Sequence, residues 1–267
     1  MLESIQYFSI LIVLGSIPSI IWLLYYLRKD DHKEPKKVLL QVFFLGAAST
    51  FFALIVEALF LKALLFFGIE CKDCSEFIPD FLGAVNFQLL SVVSFTIFLG
   101  LAFIEEFSKY LFVKIRVIKD KAFDEPVDAM IYLVVGALGF AAAENIGYIA
   151  TSDPNDIIGI LYFRFFTATF LHVLASAIVG YFFALSIIHK KSHFVYLTIG
   201  LIIATIIHGQ FNILVTLMET WNMAVLYLVL LLVFLSQVVS YLFYRIKKVH
   251  YNLQRSNKKY GRHRILF

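Results

Sequence analysis

The most constraining feature of this 267-residue chain is a group of charged residues inside a long apolar run. Glu105, Glu106 and Lys109 stand within an apolar sequence that begins near Phe81 and continues to Val113. A charged side chain at the centre of a bilayer costs about 2.5–3.5 kcal/mol on insertion scales. On a helix, Lys109 lies three and four residues from the two carboxylates and can reach either of them. A self-neutralised packing network is one interpretation, but at membrane depth we favour a functional site.

The composition predicts a membrane protein with a single domain. Apolar residues make up 61% of the chain and charged residues only 16%, and a soluble domain could not bury so much apolar side chain. We expect an all-α polytopic bundle of about seven transmembrane spans, at roughly 7–27, 37–67, 86–113, 127–150, 158–188, 194–217 and 222–244. The second and fifth runs are overlong, which predicts tilt, kinks or interfacial extensions.

The loops predict the orientation of the bundle. Most of the Lys and Arg residues fall in loops 28–37, 114–121 and 189–193 and in the tail from Arg245, whereas the alternate loops are acidic. By the positive-inside rule, the N-terminus is outside and the C-terminus is cytoplasmic. We therefore divide the chain into a membrane domain at 1–245 and a basic cytoplasmic tail at 246–267. For this tail, contact with the anionic lipid bilayer is favoured over nucleic acid.

The two cysteines, Cys71 and Cys74, form one CxxC motif. A zinc site would need further ligands, and a thioredoxin-like site would need a βαβ context. We interpret the pair as a feature of an exposed loop.

Few other ionisable residues stand inside the predicted spans, and they should face the bundle interior or a water-filled cavity. They are Glu57, Lys62, Asp128, Glu144, Arg164, His172 and His208. We interpret Glu57 and Lys62 as structural, because a spacing of five residues aligns them poorly on a helix. Glu144 follows a run of small residues that permits close helix packing. It has no cation nearby on its own helix. Unpaired, it would be protonated; otherwise it needs Arg164, Lys109 or a histidine from another helix.

Carboxylates, histidines and an amide around one chamber are compatible with three chemistries. A buried Glu can activate water as a general base, while His208 and Asn212, four residues apart on one helix face, offer donors to an oxyanion. Glu and His can also hold a metal ion, although no HExxH motif occurs. A proton-coupled transporter would use the same residue types. The residue types alone do not choose among these chemistries.

Three short motifs on successive runs narrow the choice. Glu105-Glu106-Phe-Ser-Lys109 matches EExxK, Phe140-Ala-Ala-Ala-Glu144-Asn145 matches FxxxEN, and His208-Gly-Gln-Phe-Asn212 matches HxxxN. In this order they resemble the PrsW family of intramembrane proteases, relatives of the CAAX-protease and bacteriocin-processing superfamily. Segments 18–22, 30–35 and 124–132 are also similar to that family, and the resemblance extends from about residue 15 to residue 215.

The resemblance implies a hydrolase of the bacterial plasma membrane. Its substrate would be a single-span anti-sigma factor, which it cuts at site 1 on the extracytoplasmic side. A second protease then cuts within the membrane, and the released sigma factor drives an envelope-stress response. We expect no cofactor and favour metal-free hydrolysis over a zinc ion on glutamate and histidine ligands. Three functions stay open beside this one: a proton-linked transporter, a membrane binding scaffold, and a peptidase for prenylated or small peptides.

The motifs also imply roles for individual residues. Glu105 would be the base that activates water, and Glu106 and Lys109 would tune it. His208 and Asn212 would form the oxyanion hole. A single site requires that Glu105 lie close enough to His208 to share one water, with the helix of Glu105 starting later than residue 86.

The FxxxEN motif departs from the wider superfamily, which has a histidine where this chain has Glu144. Either Glu144 shares a proton with Glu105, or His172 from the next run supplies the imidazole. From its charge, Arg164 is expected to hold Glu144 or a substrate carbonyl. Asn145 is expected to support the site.

Overall fold

The computed structural model describes residues 2–28, 33–67, 92–189, 192–218 and 220–259. Within these residues it contains eight α-helices: α1 (Leu2–Leu27), α2 (Lys36–Phe66), α3 (Val92–Val117), α4 (Asp128–Thr151), α5 (Ile157–Phe166), α6 (Ala168–Ile188), α7 (His193–Leu217) and α8 (Met223–Lys259). The all-α prediction is confirmed. The CxxC motif and the residues just before α3 lie outside the described residues.

Six stretches of the described chain are long and apolar enough to cross a membrane, and α5 with α6 forms one of them. The 26-residue α3 is not among the six, because Glu105, Glu106 and Lys109 interrupt its apolar sequence. It nevertheless packs inside the same bundle, against α2, α4, α6 and α7. The polytopic bundle is thus confirmed, and the seven predicted runs correspond to six candidate spans and α3. The orientation of the termini stays a prediction.

Helices α4 and α6 form the centre of the bundle and pack against each other. Helices α1 and α2 pack on α4, whereas α7 and α8 pack on α6. Every residue at 128–142 and 171–181 is buried. These two helices are apolar on all sides, as expected of helices that other helices surround.

Two glycines let the backbones of α2 and α4 touch. A Cβ atom on Gly139 would fall on the carbonyl oxygen of Phe43, and one on Gly46 would fall on the carbonyl oxygen of Gly136. Small residues permit such close approach of membrane helices. The interpretation of the small residues in α4 as a packing surface is confirmed.

The fifth predicted run is broken at Thr167, which separates α5 from α6. The backbone of Thr167 has φ −116° and ψ −87°, outside the helical range, and its hydroxyl donates a hydrogen bond to the carbonyl oxygen of Phe163 at 2.7 Å. The predicted kink of this overlong run is confirmed. The break turns α5 towards α1, α4 and α6, so that Arg164 lies beside α4.

Two segments that resemble the family meet at one end of the bundle. The hydroxyl of Tyr132 donates a hydrogen bond to the carboxylate of Glu34. Asp128 Oδ2 accepts hydrogen bonds from two backbone N–H groups of the preceding loop, at 3.0 and 2.7 Å. The first two basic loops therefore lie at the same end of the molecule, as the positive-inside interpretation requires.

Substitution of Gly139 by Ala should lower the thermal unfolding midpoint of the protein in detergent, since overpacking of a close helix contact costs about 1–3 kcal/mol. Gly147→Ala is the matched control, because a Cβ atom there meets nothing within 4 Å. Equal midpoints for the two variants would contradict the close contact between α2 and α4.

Candidate active site

A cavity of about 430 Å³ lies among helices α2 to α7. Most of its lining is apolar, including Leu54, Phe98 and Phe163. Its ionisable and amide residues are Glu57, Glu105, Glu144, Arg164, His172, His208 and Asn212. A largely apolar cavity with a few convergent polar groups is the usual form of a small binding or catalytic site.

Lys109 organises the polar groups behind the cavity. Its Nζ atom donates to Glu106 Oε1 at 2.6 Å and to His172 Nδ1 at 2.8 Å, and it lies 3.7 Å from Glu105 Oε2. The side chain is fully buried, and its ammonium also lies 4.5 Å from the centre of the Phe140 ring. One cation thereby ties α3 to α6 and compensates the carboxylates on its own helix.

Glu106 connects Lys109 to His208 on α7. Its Oε1 atom lies 2.9 Å from His208 Nδ1, and its Oε2 accepts a hydrogen bond from the Ser176 hydroxyl at 3.3 Å. An ionised carboxylate only accepts hydrogen bonds, so we assign the proton of neutral His208 to Nδ1. The other ring nitrogen, Nε2, then carries a lone pair.

Glu144 has a second set of partners. Its Oε2 atom lies 2.7 Å from His172 Nε2 and forms an ion pair with Arg164 Nη2 at 2.9 Å. Because the ammonium of Lys109 can only donate, His172 Nδ1 is the acceptor and its Nε2–H donates to Glu144. Arg164 is held further by Asn145 Oδ1, which accepts from its Nε at 2.6 Å.

Two acceptor atoms face each other across the site. Glu105 Oε2 lies 3.8 Å from His208 Nε2, and it is a buried atom without a hydrogen-bond partner among the described residues. Two facing lone pairs need an electropositive group between them, because an unsatisfied buried acceptor is costly. A water molecule, a shared proton or a metal ion meets this need.

The donor set fits a divalent metal ion such as zinc. Ligand atoms of Glu105, His172 and His208 lie within 4.8 Å of one another, and two histidines with one glutamate are a known set for catalytic zinc. Glu106 accepts from the second nitrogen of His208, as carboxylates do behind metal-bound imidazoles. His172 would join as a ligand by giving up its hydrogen bond to Lys109 or to Glu144.

The structure brings together the residues that the motifs singled out. The 3.8 Å distance between Glu105 and His208 meets the requirement for one site. Eight of these residues are joined by the contacts above: Glu105, Glu106, Lys109, Glu144, Asn145, Arg164, His172 and His208. Asn212 lines the same cavity. Their catalytic roles stay predictions.

Glu57 and Tyr148 also line the cavity, and sequence reasoning did not place them there. The ring of Tyr148 lies 3.8 Å from the guanidinium carbon of Arg164. Its spacing of four residues from Glu144 on the same helix could have indicated a shared face. For Glu57, the only signal in the sequence is a carboxylate within an apolar run, which by itself does not separate a structural role from a functional one.

Substitution of Lys109 by Met should lower the free energy of unfolding by about 3–5 kcal/mol, because it leaves buried carboxylates without their cation. Lys114→Met on the same helix is the control, since Lys114 lies outside the cavity and only partly buried. Thermal unfolding of both variants in detergent measures the difference. Equal losses of stability would show that Lys109 does not hold the site together.

The chain is similar to known membrane proteases. Residues 34–239 match the family model described as "PrsW family intramembrane metalloprotease". Protease PrsW of Clostridioides difficile is 27% identical over 93% of this chain and 98% of its own length. Protease PrsW of Geobacillus kaustophilus is 27% identical over 79% and 82%, and that of Bacillus subtilis is 26% identical over 78% and 83%. No solved structure matches the chain.

These matches confirm the family resemblance, and the described helices support a multi-pass membrane protein. The description of the matched family names a metalloprotease, whereas metal-free hydrolysis was expected from the sequence. Since the family model covers most of the chain, the protein belongs to the PrsW family of intramembrane proteases and is a peptidase of a bacterial membrane.

Proposed function

We propose that this peptidase performs site-1 cleavage of a single-span membrane anti-sigma factor and thereby starts the release of a sigma factor in an envelope-stress response. The observation that carries the hydrolytic part is the pair of facing acceptors, Glu105 Oε2 and His208 Nε2, in an apolar cavity. The substrate class rests on the family resemblance of the motifs.

Glu105 is the general base in this proposal. It takes a proton from a water molecule between its carboxylate and His208, and the water oxygen forms a bond to the scissile carbonyl carbon. When the C–N bond breaks, the protonated Glu105 gives this proton to the leaving amine nitrogen. The products are a carboxyl group and an amine.

Asn212 and Arg164 are the side chains that we assign to the developing oxyanion. Both line the cavity and both carry N–H donors. His208 was expected to act as a donor beside Asn212. With its proton on Nδ1, neutral His208 offers a lone pair to the cavity, so we assign it to binding the water.

The remaining polar groups position these residues. Lys109 holds Glu106, and Glu106 fixes the ring of His208 so that Nε2 faces Glu105. On the other side, Glu144 orients His172 and holds Arg164 at the cavity wall. Such supporting contacts keep reacting groups in position before the substrate arrives.

Glu105, His172 and His208 would hold a zinc ion if the site uses one. A bound zinc ion supplies Lewis-acid polarisation of water or of a carbonyl oxygen. We favour this metal-dependent form over the metal-free hydrolysis expected from the sequence, because the donor set and the family description agree. In this form Glu105 and His208 would be metal ligands, and their roles as general base and as the residue that binds the water belong to the metal-free form.

Glu105→Gln and His208→Ala should each reduce cleavage at least about 100-fold, the lower end of what a general base contributes. The test co-expresses each variant with a panel of epitope-tagged single-span anti-sigma factors, in a host that lacks a PrsW protease. Immunoblots then compare the amount of cleaved fragment at matched enzyme levels.

His193→Ala is the matched control for His208→Ala, because it lies on the same helix and outside the cavity. Cleavage by the wild type and the control, with none by the two site variants, supports the proposal. Undiminished cleavage by both site variants would remove the catalytic assignment and favour a transporter or binding scaffold. A wild type that cleaves prenylated or small peptides instead of anti-sigma factors would overturn the substrate assignment.

Removal of metal should abolish cleavage by the purified wild type in detergent, and added zinc should restore it. Metal analysis should find less bound zinc in Glu105→Gln and His208→Ala than in wild type, because each variant lacks one ligand. Full activity of metal-free protein would contradict the metal-dependent form and support general-base hydrolysis without a metal ion.

A further inference from the structure

Glu57 is a carboxyl group in the cavity that the proposed mechanism does not use. It lies on α2, in the C-terminal half of the helix, and lines the cavity together with Leu54, Ala58 and Leu61. The site residues assigned above lie instead on α3 to α7. The α2 wall of the cavity consists of Leu54, Glu57, Ala58 and Leu61, and Glu57 is its ionisable residue.

One oxygen of the Glu57 carboxyl group has no partner in the described part of the chain. This atom, Oε1, is buried and forms no hydrogen bond there, and no Lys or Arg of the described residues forms an ion pair with the carboxyl group. The nearest buried cations are engaged elsewhere, Lys109 by Glu106 and Arg164 by Glu144. A buried polar atom left unpaired in the free enzyme points to a ligand that completes it.

The neutral form of Glu57 suits this position, because an unpaired carboxylate inside a membrane is costly. A neutral carboxyl group has one O–H donor and a carbonyl acceptor side by side. In an extended segment, the N–H and C=O groups of one residue point to the same side and are complementary to this pair. The two can therefore form a pair of hydrogen bonds.

A membrane substrate needs such partners. To reach Glu105, the scissile bond must lie in an extended segment inside the largely apolar cavity, where its backbone N–H and C=O groups lose their water. The α2 wall and the α5 wall of the cavity carry exposed apolar residues, among them Leu54 and Phe163. These two helices do not depend on each other for packing, since α2 packs mainly on α3 and α4, and α5 on α1, α4 and α6. An extended segment can lie between them.

We propose that Glu57 binds the backbone of the extended substrate segment beside the scissile bond, as a paired donor and acceptor on α2. This assignment rests on the proposed peptidase function, and it adds α2 to the helices whose side chains bind the substrate. Glu57 does not transfer a proton in this role. An amide side chain, with the same donor and acceptor geometry, can therefore replace it.

The test compares Glu57→Gln, Glu57→Met and the control Lys62→Gln, which removes the charge of an exposed residue on the same helix. The purified full-length variants are assayed in detergent with the tagged single-span anti-sigma factor that the wild type cleaves. Glu57→Met should raise KM about tenfold, which corresponds to one or two hydrogen bonds, with kcat changed less than about threefold. Glu57→Gln and Lys62→Gln should stay within about threefold of wild type in both constants.

The thermal unfolding midpoint separates binding from a structural role. Because Glu57 Oε1 has no hydrogen-bond partner among the residues that the structure describes, Glu57→Met should not lower the midpoint. A lowered midpoint, or wild-type KM in Glu57→Met, would overturn the inference. So would a Glu57→Gln variant as defective as Glu57→Met, because that result indicates charge or proton transfer. If the wild type cleaves none of the anti-sigma factors, the proposed function falls and this inference falls with it.

Discussion

The buried ammonium group of Lys109 is the interaction on which the rest of the site depends. It is close to two carboxylates on its own helix and donates to a histidine on α6, so one cation joins two helices at the centre of an apolar bundle. Through Glu106 it also fixes His208 on α7. In an environment without water, such a charge is tolerated only when its hydrogen bonds are satisfied, and the same requirement fixes the ring orientations of both histidines.

The polar groups of the site fall into two kinds. Some are held by hydrogen bonds to one another, as the chain of contacts from Glu144 through His172 and Lys109 to Glu106 shows. Others have open atoms: Glu57 Oε1 and Glu105 Oε2 are buried and have no hydrogen-bond partner among the described residues. A satisfied network stabilises and positions, whereas an open atom is available for a substrate, water or metal ion. The two open carboxylate oxygens in the cavity are therefore available to such a group.

Much of the fold followed from the sequence, because long apolar runs in a membrane leave the backbone few options besides a helix. The runs predicted the helices, and the excess length of the fifth run predicted a tilt, a kink or an interfacial extension, of which the structure shows a kink, at Thr167. Helix spacing placed Glu105, Glu106 and Lys109 on neighbouring faces, and the motifs brought in Glu144 and His208. The cavity position of Glu57 did not follow, because its isolation along the chain does not indicate what lies opposite it in the bundle.

The sequence by itself determined the class of the protein, the contacts within each helix and the family to which it belongs. Only the tertiary structure decided which helices meet, and with that the partners of His172, the pairing of Arg164 with Glu144 and the distance between Glu105 and His208. The physical reason is that helical spacing relates residues three and four apart, whereas contacts between helices depend on close packing such as that of Gly46 and Gly139. The sequence specifies the residue types, whereas the packing of the helices determines how they are arranged around one cavity.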